Sequence, residues 1–131
     1  MNDQQIEQGI QAKGLTAPRV TPADIEANIA SEHYFTGLNG REGALSAGGY
    51  VGRETPKQDN SDLVPLSLLT FCVLVLRNGF TVTGESACAS PENFDAEIGR
   101  KIARQNAVSK ILPLMGYELK QRLAAYLEGR Q

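Results

Sequence analysis

The stretch Leu68-Leu69-Thr70-Phe71-Cys72-Val73-Leu74-Val75-Leu76-Arg77-Asn78-Gly79-Phe80-Thr81-Val82-Thr83-Gly84-Glu85-Ser86 decides the fold. Its first half is a run of apolar and β-branched residues too short to cross a membrane. Its second half alternates between apolar or small and polar residues, and Asn78-Gly79 between the two is a hairpin-turn signature. A two-residue type I′ turn predicts that Arg77 pairs with Phe80, Val75 with Val82 and Val73 with Gly84. On the other face it pairs Leu76 with Thr81, Leu74 with Thr83 and Cys72 with Glu85. The first strand is then apolar on both faces, and a lone two-stranded hairpin is marginal in water. The expectation is an α+β domain whose sheet and core are completed by oligomerisation, with hairpins of different subunits joined edge to edge or face to face.

Downstream, Ser90 or Asn93 can cap a long helix over about residues 93–112, with Pro113 stopping or kinking it. Acidic residues lead (Glu92, Asp95, Glu97) and basic ones follow (Arg100, Lys101, Arg104, Lys110), an order that complements the helix dipole. Phe94, Ile98, Ile102, Val108 and Leu112 form an apolar stripe. Gly99, Ala103 and Ala107 form a second stripe of small residues, where a sheet, a backbone or a ligand can approach closely. After Gly116, the residues Leu119, Leu123 and Leu127 mark a C-terminal amphipathic helix.

Upstream, Thr21-Pro22-Ala23-Asp24 is a helix start with a box-like cap, and Val20 and Ile25 are spaced as a hydrophobic staple. This short helix is expected to run to about Glu32. Residues 1–20 read as an N-terminal arm, a frayed helix or a segment ordered on a partner, and 21–131 as one domain. Within that domain residues 36–66 read as a flexible Gly-rich linker, since six of the thirteen glycines fall between Gly37 and Gly52. Disorder, a mobile flap and an ordered lid over a ligand are all open readings of it.

The chain of 131 residues carries 13 Lys+Arg against 15 Asp+Glu, a net charge of −2. That balance argues against bulk electrostatic binding of DNA, so no specific nucleic-acid partner is expected. The N-terminus lacks the charge and apolar run of a signal peptide, which reads as cytoplasmic. Cys72 and Cys88 are expected to be reduced, unpaired and packed as small residues. One histidine, His33, leaves a zinc site poorly supplied, so neither metal nor cofactor is expected. Cys88 with His33 is the sole thiol–imidazole combination, and nothing in the sequence brings them together. Glu85 reads as a structural carboxylate or a buried base. With no Walker loop or dinucleotide fingerprint, no catalytic residues are assigned and the chain is not expected to be an enzyme.

A binding site is better supported. Arg100 and Arg104 share one edge of the small-residue stripe, and Asn106 lies on its other edge. Cations, an amide and a close-approach surface suit a phosphate-bearing ligand, and Phe80, just past the turn, can stack on a base. The ordinary alternatives are solvated arginines, a core Phe80 and a structural Asn106.

The stretch Asn78 to Cys88, then Pro91 to Gly99, with Ala103, Asn106, Ala107, Lys110 and Gly116-Tyr117, resembles a small phage protein family called gene-product-forty-nine-like. Thr21 to Ile25 and Tyr34-Phe35 are similar too, so the resemblance covers residues 20–36 and 68–120. Leu112 and Met115 depart from it, standing where the family often has an aromatic and an acidic residue. Through that family the chain is similar to the type-one Thoeris anti-defence proteins of phages. The resemblance implies a sponge that binds cyclic ADP-ribose-type signals or cyclic oligonucleotides without cleaving them, and that assembles as a homo-oligomer in the host cell. The expected site is where the hairpin end meets the long helix, with Phe80 on a base, Arg104 and Arg100 on phosphates and Asn106 on a ribose or base edge. The competing expectation is a phage inhibitor that binds a host protein through the linker or terminal helices.

Overall fold

A computed structural model describes residues 3–15, 17–47 and 57–129. The fold is α+β. Its elements are α1 (Asp3–Ala12), α2 (Pro22–Ala27), β1 (Ile29–Thr36), α3 (Gly37–Ala47), α4 (Leu63–Ser67), β2 (Leu69–Leu76), β3 (Thr81–Ala87), α5 (Ala96–Val108) and α6 (Ile111–Gly129), with a 3₁₀ turn at Pro91–Asn93. The three strands form one antiparallel sheet in the order β1-β2-β3.

The hairpin forms in a register one residue away from the expected one. Leu76, not Arg77, is the residue paired with Phe80: its amide donates to the Phe80 carbonyl (2.8 Å), and Gly79 N–H donates back to the Leu76 carbonyl (2.9 Å). The loop is therefore Arg77-Asn78-Gly79, with Gly79 at φ 90° and the Asn78 side chain accepting from Phe80 N–H (2.9 Å). A turn closed by a left-handed glycine is the usual three-residue alternative to type I′. Because side chains alternate with period 2, the shift moves each β3 residue to the other face relative to β2. Leu74 pairs with Val82, Cys72 with Gly84 and Val73 with Thr83.

That register makes the helix-covered face continuous. Thr70, Cys72, Leu74, Leu76 and Val82 are buried with Gly99, Ala103 and Ala107 of α5, and Ile25 and Ile111 extend the core at its ends. Full burial of a side chain the size of Leu74 or Ile111 contributes about 2 kcal/mol each. The small-residue stripe thus meets the sheet. The larger stripe is divided: Val108 packs on the core, whereas Ile98 is 56% and Ile102 42% exposed. Phe71, Val73 and Val75 point to the opposite face of β2 and stay half-buried.

Several other expectations are corrected. The helix at Thr21 has the expected reciprocal cap, Thr21 with Asp24, but ends at Ala27, and Ile29–Thr36 is a strand. It pairs with β2, with His33 opposite Val73 and Phe35 opposite Phe71. A third strand is therefore supplied in cis, which removes the lone-hairpin argument for joining subunits. The expected linker contains α3, started by a reciprocal pair in which Thr36 N–H donates to Asn39 Oδ1 (2.9 Å) and Asn39 N–H to Thr36 Oγ1 (3.0 Å), and then α4. Its middle, 48–56, lies outside the described residues. Downstream, Asp95 rather than Ser90 or Asn93 caps α5, accepting from Ile98 N–H. The long helix breaks at Ser109-Lys110, and Pro113 sits in the first turn of α6, where no intrahelical amide donor is lost. Among the described residues no helix is long and apolar enough to cross a membrane.

Candidate functional site

The four expected site residues do not share one cavity: Arg100, Arg104 and Asn106 lie on α5, and none of them lines the cavity that Phe80 lines. Arg104 leaves α5 toward α2 and β1, where its Nη1 and Nη2 donate to the two Glu26 carboxylate oxygens (3.0 and 2.8 Å) and its Nε donates to Glu32 Oε1 (2.6 Å). Glu26 and Glu32 are both held below the usual carboxylate value by their hydrogen bonds to Arg104. Tyr34 O–H donates to the same Glu32 oxygen (2.9 Å), and burial together with that bond pushes its hydroxyl up to about 12. Arg104 ties three elements into one network.

Asn106 is engaged on the opposite edge of α5, where its Nδ2 donates to the Glu85 carbonyl of β3 (2.8 Å). The antiparallel pairs that exchange hydrogen bonds with β2 run in the phase of Leu76–Phe80 and Cys88–Leu68, so the Glu85 carbonyl points to the open edge of the sheet. Asn106 closes that part of the edge. Arg100 is exposed on α5.

Phe80 is 56% exposed and lines a cavity of about 790 Å³ between α2, the hairpin tip and α6. Its apolar lining includes Val20, Leu76, Leu114, Met115 and Leu119, and its polar lining includes Asn28 and Asn78. Three arginines, Arg19, Arg77 and Arg122, line it against two acidic residues, Asp24 and Glu118. Arg122 pairs with Glu118 (2.6 Å). Arg77 is held by its Nε donating to the Ala27 carbonyl and its amide to the Asn28 carbonyl (3.0 Å). Among the described residues it has no carboxylate within ion-pair distance. The arrangement offers an aromatic face, an oriented guanidinium and side-chain amides in one cavity, which is the chemistry a planar base carrying phosphate requires.

Arg77 escaped the sequence reading because it was assigned to a strand end, whereas it opens the turn. Arg19 and Arg122 gave no local signal, since their positions come from α2 packing beside α6. A second cavity, about 330 Å³ and lined by Val64, Leu68, Cys88 and Pro91 among others, carries no charged side chain. Among the described residues, no group of three or more His, Cys, Asp or Glu side chains is placed to hold a metal ion.

These features define a small α+β domain with an arginine-bearing cavity at the tip of its hairpin. The chain belongs to the phage protein (N4 Gp49/phage Sf6 gene 66) family, whose profile matches residues 20–123. No curated protein and no solved structure matches it.

Proposed function

We propose that this phage protein captures a cyclic nucleotide signal of host immunity, of the cyclic ADP-ribose or cyclic oligonucleotide type, and sequesters it without cleaving it. The observation that carries the reading is Phe80, exposed in the same cavity as the fixed Arg77 guanidinium. The resemblance to the type-one Thoeris anti-defence proteins supports it. In this reading Arg77 takes the phosphate-binding role that the sequence suggested for Arg104, Phe80 keeps its stacking role, and no chemical step is needed. The half-buried Phe71, Val73 and Val75 and the exposed Phe35 support a homo-oligomer, with a second copy covering the open face of the sheet.

The test is thermal unfolding of the purified protein with cyclic ADP-ribose isomers and cyclic di- and trinucleotides, followed by recovery of the ligand after heating. A ligand present at 100 times its Kd raises stability by about 2.7 kcal/mol, and it is recovered intact. No shift with any of them, or recovery of a hydrolysed product, sinks the proposal. A second reading, an inhibitor of a host protein, draws on the exposed Ile98, Ile102, Leu114 and Tyr117 of α5 and α6. It predicts stabilisation only when the host partner is added.

A further inference from the structure

We propose that Arg19 is a reserve anion-binding residue of the Phe80 cavity, and that helix α1 and an anionic ligand compete for it. The inference rests on the reading of that cavity as a phosphate-bearing ligand's site. Arg19 is clasped by α1: its Nη1 donates to Glu7 Oε2 and its Nη2 to Glu7 Oε1, both at 2.6 Å. The same Arg19 also lines the cavity that contains Phe80 and Arg77. A guanidinium fork can hold a carboxylate or a phosphate by the same pair of parallel hydrogen bonds, so one anion can replace the other.

The seat of α1 is suited to release. Beneath the helix lies a cavity of about 320 Å³, where Ile6 and Ile10 face Val20, Ile25 and Leu112. Ile6 remains 46% exposed, so the apolar contact is incomplete. The helix is ten residues long with Gly9 inside it, a length at which an isolated helix is marginal in water. The segment carrying Arg19 is better anchored, because Val20 packs on the core and Thr21 caps α2. Exchange of Glu7 for a ligand phosphate therefore needs only a swing of the Arg19 side chain, and α1 loses its clasp as a result. By linkage, whatever loosens the clasp tightens the ligand.

The experiment measures binding of cyclic ADP-ribose and of a cyclic dinucleotide to the full chain and to Glu7→Gln, Arg19→Ala and the double variant. Hydrogen exchange of the α1 amides is followed with and without saturating probe. Glu7→Gln is expected to bind at least about fivefold more tightly, the gain vanishing in the double variant. In the wild type the α1 amides are expected to exchange faster when the probe is bound, with quicker tryptic cleavage after Lys13. If Glu7→Gln binds no better and α1 stays equally protected at saturation, while Arg77→Ala still weakens binding, the competition is overturned and the cavity reading stands. If neither probe binds wild type or Glu7→Gln, the cavity reading fails and the competition with it.

Discussion

Gly84 of β3 lies directly against the backbone of Ala107 in α5: a Cβ on Gly84 would run into the Ala107 amide nitrogen, and into the Ala103 carbonyl beside it. Helix and strand touch backbone to backbone at this point. The small stripe of α5 and the glycine of β3 are two halves of one contact, and together they set the distance at which Leu74 and Val82 are sealed from water.

Gly84→Ala is therefore expected to destabilise the fold by about 3 kcal/mol or more, since rigid backbone cannot yield as a side chain does. Gln105→Ala, on the exposed surface of α5, should change stability by less than about 0.5 kcal/mol. Urea unfolding of the two variants measures the difference. Equal midpoints would mean that the close approach does not control packing.

The same contact shows what the sequence carried and what it lost. The hairpin, the capped start at Thr21 and the small stripe were legible because each is a local signal: a periodicity, a cap or a turn pair. The register was not. Asn78-Gly79 satisfies a two-residue turn and, with Arg77 included, a three-residue one, and only the need to place Gly84 under α5 chooses between them. Strand β1 was missed because Ala27-Asn28-Ile29 continues the helical spacing of Ile25. Its partners in β2 lie far along the chain, from Thr70 opposite Thr36 to Leu76 opposite Ile29, which no local window sees. For Phe80 the sequence left a stacking face and a core position both open, and the structure exposes it. The ion pairs of Arg104 were not legible because Glu26 and Glu32, which occupy its guanidinium, are distant in sequence.

Arg104→Ala tests its structural assignment. The carboxylates of Glu26 and Glu32 are held below the ordinary value of 4.5 by this side chain. Lowered carboxylates contribute stability that is fully present above their unfolded value and is lost as pH falls through their lowered folded values. The variant should lose about 1 kcal/mol at pH 7, a modest figure because both carboxylates are more than one-third exposed. The gap from wild type should narrow as pH falls below about 4.5. A gap that stays constant down to pH 2.5 in denaturant titrations contradicts the network.

Val73 stands at the centre of the open sheet face, between His33 of β1 and Thr83 of β3. If that face is covered by a second copy, Val73→Lys places a charge in a dry contact and should leave a folded monomer. Sedimentation at micromolar concentration, with circular dichroism to confirm the fold, reads the outcome. A monomeric wild type removes the proposed homo-oligomer.

The two thiols should behave differently. Cys72 is fully buried and burial pushes its thiol up, whereas Cys88 is half-buried and its Sγ donates to the Ser90 carbonyl (3.2 Å). Cys72 stands opposite Gly84, while Cys88 bonds across to Leu68, four residues further along the first strand. That is about 13 Å of strand, beyond the reach of a disulfide. Ellman titration of native protein is expected to find one reactive thiol, and two after unfolding. A Cys72 that reacts as fast as Cys88 would show that the sheet opens readily on the α5 side.

The cavity makes its own demand on mutagenesis. Phe80→Ala removes a stacking contact worth roughly 1–3 kcal/mol, and Arg77→Ala removes a charge-assisted hydrogen bond of about 1.5–3 kcal/mol. Each should weaken binding of whichever cyclic nucleotide stabilises the wild type by about tenfold or more, since 1.4 kcal/mol is one decade. Arg100→Ala, on the exposed surface of α5, should bind as wild type does. Arg104→Ala should bind nearly as well once its lower stability is taken into account, because its guanidinium already serves two carboxylates. Calorimetric titration of the four variants separates the two arrangements. Loss of affinity in Arg104→Ala and Arg100→Ala with Arg77→Ala unaffected would return the phosphate site to α5 and require Glu26 and Glu32 to release Arg104 when the ligand arrives.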